Sequence, residues 1–416
     1  PRWLIAGPLA GLCVVYVGVA RYTGSWNLTL LNDRNSPFGV FSQTYLTVSL
    51  HQEELRERRL AETFHFGATR EAPPSEPETY VLVIGESARR HNFSLYGYGR
   101  DTNPELAKLS NLIVFKDVIT QVAQTQLSVP LIITRGNLMD RARSARETSI
   151  VSAFHEVGFR TYWLSTQQRE TAMAAISRYT VEADVVRFFE RQHDGVLADS
   201  MKGLLGQAND TATKRFFLLH TLGSHFNLTS RYPREFARFP DGENSGLLHG
   251  TSASVGHREL IGAYDNTVLY TDHVLGEIVE TLKKRPGIKA MWYVPDHGDN
   301  LRDDARNLFG HAHSNEYDLP IPMVFWYSDE FAARYPEKVA TARKNADRPL
   351  NTRAVFYSLA QMAGISIADP DLPKLSVFSP DLTNVKRMVA KVPHPIDFDE
   401  WAAKTGTTIP KVIPPE

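Results

Sequence analysis

The sequence predicts an α/β fold built on a mostly parallel sheet covered on both faces. Three observations point that way: short apolar runs recur along the chain, helix-like stretches separate several of them, and metal-ligand residue types come directly after three of the runs. Strands that alternate with helices need crossover connections, and these place helices on both sides of a parallel sheet. The chain has 416 residues, 42% hydrophobic and 22% charged, with a formal net charge of −1. This composition suits one large globular domain with smaller additions. No long basic run occurs, which argues against nucleic acid as a partner. The single cysteine, Cys13, excludes an internal disulfide and a thiolate zinc finger.

Residues 3–20, WLIAGPLAGLCVVYVGVA, carry no charge between Arg2 and Arg21 and are just long enough to cross a bilayer. Pro8 and three glycines would weaken a soluble core helix, whereas transmembrane helices tolerate them. Residues 1–24 therefore read as a transmembrane segment; a secretory signal peptide is the competing reading. The first residue is proline, so further spans are expected upstream, and arginines on both sides leave the orientation open. Residues 25–78 read as a juxtamembrane linker. Within them, HQEELRERRLAETF (51–64) fits a helix lying on a membrane surface or a solvated spacer equally well, and GATREAPPSEPE (67–78) has the proline and glutamate content of a linker. A catalytic domain is expected over 79–370, with strands at 80–84, 112–115, 161–164, 215–219, 290–294 and 321–327. The clearest helix is 260–285, where Ile261, Tyr264, Val268, Thr271, Leu275, Ile278 and Leu282 form a stripe that ends in KKRPG. The proline-rich tail, 371–416, is expected to wrap the domain surface.

The residues at the ends of the strands carry the chemistry. Asp296 and His297 come directly after the run 290–294, with Gly298 expected to let the backbone turn behind them. Taken alone, an Asp-His pair reads as a solvated loop turn. However, Glu86 comes after the run 80–84, and His220 and His225 come after the run 215–219, and each of these strand ends has a glycine nearby, Gly85 and Gly223. Histidines and carboxylates converging at the carboxyl edge of one sheet are the signature of a metal site. A cluster without thiolate suits zinc or manganese. Thr125 stands before an apolar segment that reads as a helix start, where free N–H groups and the helix dipole favour a phosphate. As an ordinary N-cap, Thr125 or Ser128 would need no catalytic role, and the residues alone favour that reading.

Five ordered blocks then carry a resemblance: VLVIGESARRHNFSLYGYGRDTNPEL (81–106), TQLSVP (125–130), HTLGSHFNLTSRYP (220–233), YDNTVLYTD (264–272) and PDHGDNLRDDARNLFGHAHS (295–314). Together they resemble the bacterial lipid phosphoethanolamine transferases of the alkaline phosphatase and sulfatase superfamily. The resemblance implies an alkaline-phosphatase-like α/β/α sandwich, membrane helices upstream, and a catalytic domain in the periplasm held at the bacterial inner membrane. It implies a zinc held by Glu86, Thr125, Asp296 and His297, with Thr125 as nucleophile. It places His220, His225 and His311 in a substrate pocket or second metal site, with His313 able to substitute for His311. Asn92, Tyr264, Asp265 and Asn266 sit in matching blocks, but packing explains them equally well. The implied donor is phosphatidylethanolamine, and the implied acceptor is an envelope glycolipid, lipid A or lipopolysaccharide core.

The departures bear on the acceptor. Many members that modify lipid A carry several disulfides; this chain carries none and resembles the disulfide-poor branch, some of whose members modify core sugars. Its gap from Asp296 to His311 is longer than in those members, and STQQRETA (165–172) replaces the stretch that holds their pocket lysine. A sulfatase would need a cysteine or serine in a C/S-x-P-x-R setting, and the block here reads T-Q-L-S-V-P. A phosphodiesterase-type hydrolase or a glycerol-phosphate transferase would share the same metal residues. A non-catalytic membrane-anchored binding protein would have no need of the four.

Overall fold

All eight residues of Glu78–Gly85 are buried, as expected of a strand with helices on both faces. The computed structural model describes residues 60–407 apart from 62, 72, 169–173, 208–210 and 242–255, together with Gly11. The chain divides into two units, Pro1–Thr63 and Phe64–Glu416, and the second holds the main sheet, its helices and the candidate site. That sheet has seven strands: β1 (Glu78–Gly85), β2 (Leu112–Val114), β3 (Arg160–Ser165), β4 (Val185–Phe188), β5 (Lys214–His220), β6 (Ile288–Pro295) and β7 (Val324–Tyr327). Their order is β2-β7-β6-β1-β5-β3-β4.

β6, β1, β5, β3 and β4 run parallel. β7 runs antiparallel to both its neighbours, β6 and β2, so the sheet is mixed. The reason lies in the connection. No helix intervenes between Pro295 and Val324, so nothing carries the chain back to the start of the sheet, and it returns in the opposite direction. Of the run 321–327, only Val324–Tyr327 is strand, while Ile321 and Met323 are core residues ahead of it. β4 escapes a search for continuous apolar runs, because an edge strand is half solvated and its residues are partly exposed.

Five helices matter for the site: α1 (Thr125–Ile133), α2 (Ile150–Glu156), α3 (Gly195–Leu205), α4 (His257–Lys283) and α5 (Arg353–Met362). Strand alternation divides the core between them. Tyr80, Leu82, Ile84 and Trp292 pack on one face with Ile132, Phe154 and Phe356 of α1, α2 and α5. Val81, Val83 and Met291 pack on the other with Met201 of α3 and Val268 of α4. The rings of Phe154 and Phe216 stack at 3.9 Å on the first face, and those of Tyr162 and Phe217 at 4.2 Å on the second. Truncating Trp292 to alanine would empty the largest volume beside β1, at a cost of about 3–5 kcal/mol.

The segment with linker composition, 67–78, joins this unit. Thr69–Arg70 pairs antiparallel with Ile365–Ser366, and Arg70 grips the buried carboxylate of Glu78 with two hydrogen bonds of 2.8 and 2.7 Å. The proline-rich tail is ordered as far as its described residues go. Met388–Val389 pairs with Ile396–Asp397, and Arg387 ties Asp117 to Asp399. No helix among the described residues is long and apolar enough to cross a membrane. The expected span at 3–20 lies outside them except for Gly11, as does most of the charged stretch 51–64.

Candidate metal centre

Sheet register brings distant residues together. Gly85 pairs with Pro295 and Ile84 with His220, so β1, β6 and β5 end side by side, and the next residues along β1 and β6 are Glu86 and Asp296. α1 approaches this edge with its first turn. Thr125 is the first helical residue, and the extended Gln124 is the N-cap, with no side-chain capping bond. The N-cap reading of Thr125 therefore does not hold. Ser128, one turn on, donates to the Asp296 carbonyl at 2.7 Å and fixes the helix to the end of β6.

The Thr125 hydroxyl then faces three groups. Its Oγ1 lies 3.0 and 3.3 Å from the two carboxylate oxygens of Glu86 and 3.2 Å from His297 Nε2. His297 Nε2 lies 3.5 Å from Glu86 and 3.3 Å from Asp296 Oδ2. His297 Nδ1 is 3.0 Å from the Gly298 carbonyl, a contact that uses the far side of the ring and turns Nε2 inward. Asp296 Oδ1 accepts the N–H groups of Ser87 and His297, at 3.1 and 2.7 Å, while Oδ2 has no hydrogen-bond partner.

Two buried carboxylates thus converge on one imidazole and one hydroxyl, and one carboxylate oxygen is left unpaired. Burial, then the neighbouring Asp296, pushes the Glu86 pKa well above the usual carboxylate range. A cluster of this composition fits a divalent cation, which would neutralise both carboxylates and could take the orphan oxygen as a ligand.

His311 packs against His297 with ring centroids 4.3 Å apart and planes tilted by 42°, and its Nδ1 is 3.3 Å from the buried Asp299. Burial lowers the His311 pKa, but the Asp299 hydrogen bond and charge more than reverse this, so the net shift is upward. His297, Asp299 and His311 form a second group with metal-binding geometry. His225 lies beyond, with its ring 6.5 Å from that of His311. Burial and then Arg231 lower its pKa to about 4. His220 is buried under the edge against Trp163, outside hydrogen-bonding distance of the four; its Nε2 has no partner, and burial lowers its pKa to about 4. His313 is exposed and its Nε2 meets the Phe309 carbonyl, so it is His311 that adjoins His297.

The residues that support the centre include Asn92, Tyr264, Asp265 and Asn266 of the matching blocks and others, such as Gln167 and Ser87, that the sequence did not single out. Gln167, just past β3, donates from Nε2 to Glu86 Oε2 at 3.1 Å and to the Thr221 carbonyl at 2.8 Å. Ser87, held at φ +54°, donates to Glu86 Oε1 at 2.8 Å. The Tyr264 hydroxyl pins that turn, donating to the Ser87 carbonyl at 2.6 Å and accepting from the Arg89 N–H at 2.7 Å. Asp265 takes hydrogen bonds from Asn92, Tyr98 and Arg100. Asn266 holds Phe239 through both its N–H and its carbonyl. Asp299 was the most findable of these, two residues after His297 in the same short block. Two glycines are fixed by close approach. A Cβ at Gly223, where φ is +49°, would sit 2.6 Å from the Glu86 carbonyl oxygen, and one at Gly298 would sit 2.6 Å from Arg89 Cβ. Gly298 does not have a positive φ, so contact and not turn geometry explains it.

A cavity of about 470 Å³ opens at Gln124, the residue before Thr125, bordered by Ala123, Leu127, Arg141, His313, Lys391 and Val392, with no carboxylate among its lining residues.

The fold and the site together define an alkaline-phosphatase-like α/β protein with a candidate metal centre at the carboxyl edge of its sheet. The chain belongs to the sulfatase family, whose model matches residues 78–365. Among its curated relatives, phosphoethanolamine transferase EptC of Escherichia coli strain K12 is 29% identical over 343 residues, 78% of this chain and 58% of the relative. The Kdo(2)-lipid A phosphoethanolamine 7''-transferase of the same strain is 29% identical over 320 residues, 73% of this chain and 54% of the relative. The chain thus spans somewhat over half the length of these relatives. The crystal structure of the C-terminal periplasmic domain of E. coli EptC, in complex with Zn, superposes with a TM-score of 0.71 at 27% identity, covering 82% of this chain and 98% of that one.

Proposed function

We propose that this chain transfers phosphoethanolamine from phosphatidylethanolamine to an envelope glycolipid, lipid A or lipopolysaccharide core, through a phosphothreonine on Thr125. The observation that carries the reading is the Thr125 hydroxyl, set at the first turn of α1 within 3.3 Å of Glu86 and His297. A structural threonine has no need of two such neighbours. The similarity to named phosphoethanolamine transferases, and to a domain crystallised with Zn, supports both donor chemistry and metal. It also favours a periplasmic domain at the inner membrane, with the expected span at 3–20 as its anchor.

Glu86, Asp296, His297 and Thr125 would hold the zinc. When bound, zinc favours the ionised threonine hydroxyl and offsets charge on the phosphoryl oxygens. Thr125 Oγ1 forms the bond to phosphorus and diacylglycerol leaves; a hydroxyl or phosphate of the acceptor then takes the group from the threonine. Thr125 is the first residue of α1, so a phosphoryl group on it would lie at the positive end of the helix dipole. Arg141 and Lys391, beside Leu127 and Val392, give the adjoining cavity the mixed cationic and apolar character that a phosphorylated glycolipid needs. Ser128-Val129-Pro130 is followed by Leu131 and Ile132, so the arginine of a C/S-x-P-x-R setting is missing, and the Ser128 hydroxyl is engaged with the Asp296 carbonyl.

The test supplies membranes containing labelled ethanolamine head groups to the protein. Label should reach lipopolysaccharide, the transfer should vanish in Thr125→Ala, and Thr125→Ser should retain part of it. Label released only as free phosphoethanolamine would make the protein a hydrolase, and label retained in phospholipid would reject the donor.

A further inference from the structure

We propose that Gln167 is a positioning residue for Glu86, and that its carboxamide sets the affinity of the centre for zinc. This rests on the reading of Glu86, Thr125, Asp296 and His297 as a zinc site. Gln167 is buried, and its own backbone N–H is fixed by Ser165 Oγ at 3.1 Å, which holds the residue at the end of β3. From there the side chain reaches across the end of β5. Nε2 gives one hydrogen to the Thr221 carbonyl and the other to Glu86 Oε2, at 2.8 and 3.1 Å. One carboxamide therefore ties the ends of three adjacent strands together.

Donor geometry determines the effect on Glu86. Ser87 Oγ holds Oε1 at 2.8 Å and Gln167 holds Oε2, so both oxygens are gripped while the carboxylate faces Thr125 and His297. A carboxylate has about four lone-pair sites, so these two bonds fix its rotation and leave acceptor capacity for a cation. A neutral donor suits this task. A lysine in the same place would also donate, but its charge would repel the cation that the site is built to hold. Residues that orient metal ligands in this way typically change metal affinity by about 10–100-fold when removed.

Zinc affinity of the purified chain, measured by competition with a chromophoric chelator, tests the proposal. Gln167→Met removes the donor at similar length, and Gln167→Asn keeps an amide too short to span Thr221 and Glu86. Both variants should bind zinc about 10–100-fold more weakly than the parent chain. Their metal-free thermal midpoints should stay close to the parent's, and raised zinc should restore turnover. Should Gln167→Met fail to fold, Gln167→Asn decides alone. Parental zinc affinity in the folded variants overturns the positioning role while leaving the zinc centre standing. A parent chain that binds no zinc overturns the centre itself, and the role with it.

Discussion

At the scale of single residues, Asp296 shows how the centre is set and what it costs the fold. Oδ1 is used twice by backbone N–H groups, and Oδ2 is left in the interior without a hydrogen bond, 3.3 Å from His297 Nε2. Asp296→Asn keeps the shape and the Oδ1 bonds but presents an amide where a cation needs an anionic ligand. We expect purified protein to hold about one zinc and the variant to lose most of it, since a lost ligand weakens binding by at least the tenfold typical of lost supporting residues. Metal analysis checks this; full occupancy in the variant would remove Asp296 from the ligand set. The metal-free variant should also melt at a higher temperature than metal-free parent, because it relieves the mutual repulsion of Glu86 and Asp296. Residues of this kind were legible in the sequence because carboxylates and histidines at strand ends are chemically conspicuous. Gln167 was not, since a neutral amide in a polar loop becomes meaningful only once three strand ends are seen side by side.

At the scale of elements, α4 separates what periodicity shows from what it hides. The apolar stripe predicts a helix over 260–285, and the helix runs His257–Lys283. Periodicity places Tyr264 in the stripe but does not account for Asp265, Asn266, Thr267 and Asp272, which are buried as well, because loops from the strand ends pack over them. Asp272 accepts the N–H groups of Glu105 and Leu106, at 2.7 and 3.0 Å, capping the short helix Pro104–Ala107. Burial outweighs those bonds and raises its pKa to about 7. The folded state therefore holds this proton more tightly than the unfolded chain, where aspartate titrates near about 3.9. Its contribution to stability is full below about pH 4 and is lost as the pH rises through about 7. Denaturant unfolding across that range should show a shallower decline for Asp272→Asn than for the parent. Parallel curves would mean that Asp272 is ionised throughout.

At the scale of the whole molecule, removal of metal should be visible in global stability. A ligand that binds only the folded state stabilises it by about 2.7 kcal/mol at a hundredfold excess over its dissociation constant. Chelation should therefore lower the calorimetric midpoint of the parent and leave Asp296→Asn nearly unmoved; a parent midpoint indifferent to chelator would speak against a tight site. The sheet, its two helical layers and six of its strands were legible, since buried parallel strands are continuous apolar runs. The reversed direction of β7 was not, because orientation depends on whether a helix bridges two strands, and composition does not record that. The register of β1 against β6 has one further effect, on timing. A ribosome releases Glu86 and Thr125 long before it reaches Asp296 and His297, and β6, the neighbour of β1 at the middle of the sheet, is among the last strands made. Any nascent or prematurely ended chain that stops before Ile288 therefore has the hydroxyl and one carboxylate but neither of the other two groups. The four groups of the candidate centre can therefore meet only after β6 has been made, so an incomplete product of synthesis cannot assemble them.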